Sequence, residues 1–509
     1  MKGKTDRRSH KQSVKVPERV QFRKENALLI LALAACFLSA YYPHFRNPFP
    51  IHVDEWQHLA QIISTSEGRP NFNPYIGEHH LDFEIVFHAF WAIPALVLGR
   101  ERFILFSSFI PAILAVISGL CIYWALMRIG LTNSEAIMSV FAFATVKSGL
   151  NILGMSYFVP LSASIPFIFI FLVYFSRGVS ENNSRNLLIS ILIFVMLFLI
   201  YPPSATILIP TILAYPLFFG SFLKRRAYQI VGFGIFMIML AAASNLMKIG
   251  GRSAFSILVN SLVFRFGWGG YELKYSIPLL FTIPGTVLAL FGAYFAAGDR
   301  KKLIFLISSI SAVSIAFIFN KFNISLLAPY QRVSYYALIF MAPLAGIGLA
   351  RVHSFLSERA GRIAAAGAVT FLLILMFLLR YPSESMNVDY AKPIMSRQAW
   401  GSLLWLSNNA PKGGVVMANF MLSSAVTPIT GLRVQALLPA QLGTFDRQEE
   451  RLEDSLKFYT NSTCEDKLKI LNKWNVSTVL SDSRMDCLEK NGFYPSRSEG
   501  LFIYFRRIR

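Results

Sequence analysis

Apolar runs of membrane-spanning length constrain this chain more than any other feature of its sequence. A hydrocarbon core about 30 Å thick requires roughly 17–25 apolar residues per helix. The 509 residues are 54% hydrophobic and only 15% charged, which is more apolar than a soluble enzyme of this size. The sequence therefore predicts a polytopic α-helical membrane protein with about 11 transmembrane helices. We place them near residues 26–42, 103–126, 135–152, 157–176, 187–202, 204–223, 228–246, 276–297, 303–319, 333–350 and 363–380.

Basic residues predict how these helices are oriented. The chain has 49 Lys and Arg against 28 Asp and Glu. Most of the surplus falls in short loops between apolar runs, so it indicates topology, and we expect no nucleic-acid partner. A cytoplasmic N-terminus and an extracytoplasmic C-terminus, in a multi-pass protein of the cell membrane, put the basic loops inside. Those loops contain Arg128, Arg177, Arg185, residues 224–226, residues 300–302, Arg351, Arg359 and Arg362.

Residues 83–98 form one further apolar run that we do not count as a span. Counting this run would invert every later loop and place the basic clusters outside. We therefore predict a helix that lies along the outer interface, which His88 and Trp91 tolerate.

The chain divides into three predicted parts. Residues 1–25 form a basic cytoplasmic tail, and no small-residue cleavage site follows the first apolar run. Residues 26–380 form the membrane domain, whose first outer loop is 43–102. Residues 381–509 form a small extracytoplasmic α/β domain with strands at GGVVMANF, LRVQALL and VSTVLSD and helices at EERLEDSLKFY and CEDKLKILNKW. Cys464 and Cys487 are a disulfide candidate if this part faces an oxidising exterior.

The first outer loop concentrates titratable groups, since it holds six of the eight histidines. Asp54 and Glu55 open a helical stretch, DEWQHLAQIISTS, which places Asp54 and His58 on one face. A carboxylate there can act as general base toward a hydroxyl, and we predict Asp54 and Glu55 as catalytic residues. Alternatively, Asp54 caps the helix, with Gln57 three residues later.

The histidines of this loop have two open interpretations. His79, His80 and Asp82, joined by His52 or His58, have side chains that can hold a divalent ion such as Zn²⁺ or Mn²⁺. A metal ion bound by Asp54 and His58 is the narrower version of this hypothesis. Otherwise His58, His79, His80 and Asp82 contact the phosphate or sugar of a substrate.

Arg332 gives the clearest anion-binding signal outside that loop. It opens a late apolar run on the predicted outer side, where a guanidinium can bind a lipid phosphate bidentately. Lys321 and Tyr330 are its expected companions in substrate binding. The alternative is an Arg that snorkels to the interface. Tyr201, near the end of another run, is assigned to the interfacial aromatic belt.

Several segments together resemble the GT-C superfamily of integral-membrane glycosyltransferases. They are HVDEWQHLAQ, EHHLDFEIVFHAFWAIPALVLGRERF and PYQRVSYYALIFMAPLAGIGLA, with AWGSLLWLSNNAPKGGVVMANF similar to the junction before the soluble domain of oligosaccharyltransferase catalytic subunits. The resemblance implies a GT-C-like membrane domain and a polyprenyl-phosphate or polyprenyl-diphosphate sugar donor. It also implies a catalytic acid at Asp54 and a donor-phosphate ligand at Arg332.

Two departures from the oligosaccharyltransferase pattern narrow this expectation. MANFMLS stands where those enzymes have the WWDYG motif, and ILGMSY, in the next outer loop, has no acidic residue. Transfer of a whole glycan to asparagine, and the metal site of those enzymes, are therefore not expected. We expect transfer of one sugar from a polyprenyl-phosphate donor to a hydroxyl of a glycan, lipid or protein acceptor. The alternative is a non-catalytic scaffold or a lipid-binding or transport protein of the same architecture.

Overall fold

Helices form most of this chain in its computed structural model. The structure describes residues 18–45, 47–79, 82, 84–149, 152–220, 248–249, 252–253, 263–264, 274, 276–380, 394–437, 447–460, 462–497 and 500–506. The span expected at 228–246 lies outside the described residues. So do most of residues 247–275.

Fifteen helices cover the part of the described chain that precedes residue 381. Their bounds are α1 Glu18–Tyr41, α2 Val53–Ser66, α3 Ile85–Leu98, α4 Arg100–Ser107, α5 Ile110–Ile129, α6 Asn133–Ala144, α7 Pro160–Ser180, α8 Ser184–Ile200, α9 Pro202–Thr206, α10 Ile209–Ala214, α11 Ile277–Leu280, α12 Ile283–Ala297, α13 Leu303–Phe322, α14 Tyr330–Ala360 and α15 Arg362–Arg380. Short 3-10 helices follow α1 and α10, at Tyr42–His44 and Tyr215–Phe218.

Six helices in the described part are long and apolar enough to cross a membrane. The segments of these helices that could span the membrane begin at Glu25, Ile110, Pro160, Leu303, Tyr330 and Arg362. Several expected spans are shorter or divided. The run at 135–152 is helical only to Ala144, and the run at 204–223 is divided into three short pieces where Pro210 and Pro216 interrupt helical hydrogen bonding. The total of about 11 spans therefore stays a prediction.

Helix α14 is the central element of the membrane domain. It is 31 residues long, and every residue from Tyr330 to Ala350 is buried against α6, α12 and α13. Glycines let the helices approach closely: a Cβ added to Gly292 of α12 would lie 1.8 Å from the backbone oxygen of Leu344. A Cβ at Gly346 would lie 2.1 Å from the hydroxyl of Ser139 on α6. The position of α14 thus depends on backbone contacts as well as on side-chain packing.

The first loop (residues 43–102) forms a layer of its own. It contains α2, a hairpin of β1 (Phe72–Asn73) and β2 (Glu78–His79), and α3, whose neighbours include α2 and α8. His52 caps α2: its Nδ1 accepts the backbone N–H of Asp54, and Glu55 accepts the backbone N–H of His52 in return. The sequence allowed Asp54 as the cap, and that alternative is wrong. The Asp54 side chain is left for other contacts.

The C-terminal region contains a five-stranded mixed sheet. Its strands are β7 Val415–Met417, β8 Arg433–Val434, β9 Thr478–Ser481, β10 Phe493–Arg497 and β11 Phe502–Arg506, in the order β10-β11-β9-β7-β8. Strand β7 is parallel to both neighbours, whereas β9, β11 and β10 are antiparallel. Two more short pairs complete the strands outside this sheet. Strand β3 (Lys248–Ile249) pairs with β4 (Arg252–Ser253), and β5 (Val263–Phe264) pairs with β6 (Ser325–Leu326). The helices around the sheet are α16 Arg397–Asn409, α17 Phe420–Thr430, α18 Gln448–Tyr459, α19 Cys464–Lys473 and α20 Asp486–Lys490.

The C-terminal region packs directly on the first loop. Helix α17 contacts α2, and the buried Tyr75 hydroxyl donates to the backbone oxygen of Ser424 at 2.8 Å. The backbone N–H of Val434 donates to the backbone oxygen of Tyr75 at 3.1 Å. Farther from this contact, Cys464 and Cys487 are joined by a disulfide, with Cα atoms 5.6 Å apart.

Candidate functional site

Asp54 and Arg332 form a buried ion pair between the first loop and the head of α14. The guanidinium Nη2 of Arg332 lies 3.3 Å from Oδ2 of Asp54, although 278 positions separate the two residues in sequence. Relative exposure is 6% for Asp54 and 8% for Arg332. Asp54 is in the first turn of α2, where the N-terminal end of the helix dipole also favours a negative charge.

Hydrogen bonds hold Arg332 from a second side. Its Nε donates to the hydroxyl of Tyr201 at 3.0 Å. One turn along α14, the hydroxyl of Tyr336 contacts the hydroxyl of Ser204 at 2.5 Å, and Ser204 contacts Ser164 at 2.6 Å. Since charged groups are buried only when paired and hydrogen-bonded, these contacts account for a guanidinium at this position.

Glu55 connects the first loop to the segment that follows α6. Its carboxylate accepts three backbone N–H groups: those of Ile51 at 2.9 Å, His52 at 3.0 Å and Phe158 at 2.8 Å. Phe158 belongs to the irregular buried segment 152–159, which precedes α7. Glu55 therefore fixes where α2 begins, and with it the position of Asp54.

A second polar group lies one turn along α2 from Asp54. Nδ1 of His58 is 3.1 Å from Nε2 of His88 and 3.5 Å from Oε2 of Glu84. Nδ1 of His88 is 2.7 Å from Oδ2 of Asp82, whose other oxygen accepts the backbone N–H of Glu84 at 2.9 Å. Within the described residues, His58, Glu84 and His88 are the one group of three whose ligand atoms lie close enough to share a metal ion.

Burial shifts the pKa values of Glu55, Glu84 and His58 in the direction that favours their neutral forms. It raises the pKa of Glu55 to about 7, against the opposing effect of the three N–H donors. Burial, with the nearby Asp82 carboxylate, raises the pKa of Glu84 well above its ordinary range. Burial, with the neighbouring His88, lowers the pKa of His58 well below its ordinary value.

Solved structures provide a comparison for this arrangement. No protein-family model matches the chain, and no curated protein matches it. The chain is similar to the oligosaccharyltransferase of Archaeoglobus fulgidus in the apo form, with a TM-score of 0.59 and 14% identity over 90% of this chain and 69% of that one. It is also similar to the same enzyme tethered to an acceptor peptide containing the NVT sequon (TM-score 0.58, 14% identity, 97% and 75% covered). ArnT from Cupriavidus metallidurans in the apo state gives a TM-score of 0.57 and 11% identity over 95% of this chain and 98% of that one. The chain has a GT-C-like fold.

Within the GT-C-like fold, the predicted site residues separate into two groups. Asp54 meets Arg332, as described above, and His58 meets Asp82 through His88. Asp54 is not part of the group of three described residues that can share a metal ion. A metal ion bound by Asp54 and His58 stays a prediction.

Of the other four predicted site residues, Lys321 and Tyr330 have described side chains, and each has a partner of its own. His79 lies in β2 with its side chain undescribed, and His80 lies outside the described residues. Lys321 is exposed at the end of α13, over the ring of Phe317. Tyr330 is fully buried, and its hydroxyl donates to Oδ1 of Asn320 at 2.7 Å.

Three residues of this candidate site are not predicted from the sequence. Tyr201 was assigned to an interfacial belt, but it is buried and contacts Arg332. Glu84 and His88 were read as part of an apolar interfacial helix. Their i, i+4 spacing at the start of α3 matches that of Asp54 and His58, and this repeated spacing was the available signal.

Proposed function

We propose that this protein is a membrane glycosyltransferase that moves one sugar from a polyprenyl-phosphate-linked donor to a hydroxyl acceptor on the outer face of the membrane. The observation that carries the proposal is the buried contact between Asp54 and Arg332. It brings a carboxylate and a guanidinium together in a GT-C-like fold, which supports their proposed roles as general base and donor-phosphate ligand.

In the proposed reaction, Arg332 binds the donor phosphate and Asp54 takes the acceptor proton. The acceptor oxygen attacks the anomeric carbon while the bond from that carbon to the phosphate oxygen breaks. The electron pair leaves with polyprenyl phosphate, whose growing negative charge Arg332 stabilises. The proton passes to the Asp54 carboxylate, and attack from the face opposite the phosphate yields an inverted glycoside.

The ion pair also gives donor binding a role in this proposal. A donor phosphate that binds Arg332 competes with the Asp54 carboxylate for the guanidinium. Donor binding would therefore free Asp54 for the acceptor hydroxyl.

Glu55 has a positioning role in this proposal, because backbone N–H groups occupy both of its carboxylate oxygens. Tyr201 likewise orients Arg332. Contacts of His58, His79, His80, Asp82, Lys321 and Tyr330 with substrate stay predictions.

The test is transfer by the purified protein, with a panel of polyprenyl-phosphate sugars and hydroxyl acceptors. The unmutated protein is expected to transfer, and Asp54→Asn is expected to lose at least 100-fold in rate, as is usual when a general base is removed. Unchanged transfer by Asp54→Asn would remove Asp54 as the base. No transfer by the unmutated protein across the panel would favour a non-catalytic lipid-binding protein.

A further inference from the structure

We propose that His58, Glu84 and His88 form a binding site for a divalent transition-metal ion, with Zn²⁺ preferred over Mg²⁺. These three side chains come from two different helices of the first loop, since His58 is on α2 whereas Glu84 and His88 stand at the start of α3. All three are buried, with exposures of 5%, 8% and 4%. The site is distinct from Asp54 and Arg332 and is not required by the proposed transfer reaction.

Two of the distances between the ligand atoms are close to those around a tetrahedral ion. Zn²⁺ bonds of about 2.0–2.1 Å place neighbouring ligand atoms roughly 3.3–3.4 Å apart. Here the separation is 3.1 Å between Nδ1 of His58 and Nε2 of His88, and 3.5 Å between Nδ1 of His58 and Oε2 of Glu84. One ligand atom from each residue lies within 4.8 Å of the other two. The three atoms are therefore close enough together to share one ion.

Asp82 forms hydrogen bonds with two of the three ligand residues. Its Oδ2 lies 2.7 Å from Nδ1 of His88, so the carboxylate can accept that N–H and leave the lone pair of Nε2 facing His58 and Glu84. Oδ1 of Asp82 accepts the backbone N–H of Glu84. Asp82 thus orients two of the three ligands, as the outer carboxylate does in carboxylate–histidine–zinc sites.

The chemistry of the ligand set favours a borderline ion over a hard one. Two imidazoles and one carboxylate suit Zn²⁺, whereas Mg²⁺ prefers oxygen ligands and six-coordinate geometry. A buried cation needs negatively charged partners, and the carboxyl groups of Glu84 and Asp82 can supply two. Three protein ligands leave a fourth position of a tetrahedral ion for water or an oxygen of a bound molecule.

The test measures metal binding without any transfer assay. The purified protein is stripped with chelator, incubated with Zn²⁺, desalted, and its metal content is determined by mass spectrometry. Co²⁺ replaces Zn²⁺ in a parallel titration, because the visible spectrum of Co²⁺ reports tetrahedral coordination. Competition with Mg²⁺ tests the preference. His88→Ala removes a ligand, and His353→Ala is the matched control, because His353 lies on α14 outside the group.

We expect about one tightly bound Zn²⁺ per chain, retained in His353→Ala and lost in His88→Ala. Asp82→Asn keeps all three ligands and is expected to raise the Kd by about 10–100-fold while the Co²⁺ spectrum stays tetrahedral. If His88→Ala fails to fold, Glu84→Gln and the titration of the unmutated protein still decide the matter. The inference is overturned if the unmutated protein retains no Zn²⁺, or if the variants of all three ligands retain as much as His353→Ala. A hydrogen bond from His58 to His88 would then account for their contact.

Discussion

The ion pair between Asp54 and Arg332 leads to a counterintuitive prediction for donor binding. Asp54→Asn is expected to bind polyprenyl phosphate more tightly than the unmutated protein, even though it loses transfer. In the unmutated protein the phosphate must compete with the Asp54 carboxylate for the guanidinium. The amide of asparagine removes the negative charge but keeps an oxygen that can accept an N–H, so Arg332 stays in place.

The size of the effect follows from the contact that is lost. A hydrogen bond to a charged group contributes about 1.5–3 kcal/mol. The pair here has a single N–H contact at 3.3 Å, and the amide keeps part of it, so the lower end of this range applies. Since about 1.4 kcal/mol corresponds to a factor of ten, the Kd for polyprenyl phosphate should fall about 10-fold.

Calorimetric titration of polyprenyl phosphate into the protein in nanodiscs measures this change. Arg332→Gln should bind weakly, because the phosphate loses its cation. Glu67→Gln is the matched control: Glu67 directly follows α2, and its ion pair with Arg100 is exposed, so its loss should leave the Kd unchanged. Equal or weaker binding by Asp54→Asn would refute the idea that carboxylate and phosphate compete for Arg332.

Raising the pH from 4.5 to about 7 should destabilise the unmutated protein more than Glu55→Gln, because Glu55 stabilises the fold only in its protonated form when its pKa is raised. Denaturant unfolding at each pH measures the difference. Parallel curves of unfolding free energy against pH for the two proteins would contradict the prediction. Gly292→Ala should cost about 1–3 kcal/mol in stability, since its Cβ would meet the backbone of α14, whereas Gly367→Ala has no atom within 4 Å and should cost nothing. Cys464→Ser should lower the stability of the C-terminal region by about 3 kcal/mol, because the disulfide no longer closes a loop in the unfolded chain. Cys121→Ser is the control, since Cys121 is outside the disulfide and its loss should not have this effect. Equal melting curves for the two cysteine variants would argue against the prediction.

The sequence predicted those parts of the fold that depend on local composition. The long apolar runs predicted at 157–176 and 303–319 correspond to α7 and α13, whereas the run at 103–126 is divided between α4 and α5. Strands β7, β8 and β9 were found from their short apolar runs. Strands β10 and β11 were missed, since Pro495 and several arginines interrupt their apolar pattern. Breaks inside apolar runs were also missed, because hydropathy does not register the hydrogen bonds that a proline removes.

The site was predictable only where a motif marked it. Asp54 and Arg332 are predicted from their chemistry, from their positions at the start of a helical stretch and of an apolar run, and from the resemblance of those segments. Nothing in the spacing of two residues so far apart in sequence indicates that they meet. His88 and Glu84 were hidden by the apolar residues around them. Their role depends on the packing of α2 against α3, and sequence periodicity does not predict which helices pack together.

The unbroken length of α14 also determines how deep the site lies. Arg332 near one end and Arg351 toward the other are separated by roughly 28 Å along the axis, at 1.5 Å per residue. This is about the thickness of the hydrocarbon core. Arg351 pairs with the buried Glu135, which Lys302 also contacts, so each end of the lipid-spanning part of α14 carries a cation with an acidic partner. Under the proposed function, a donor phosphate bound at Arg332 would stay at the level of the lipid headgroups while its prenyl chain remains among the acyl chains. No charge would then have to enter the bilayer for the donor to bind.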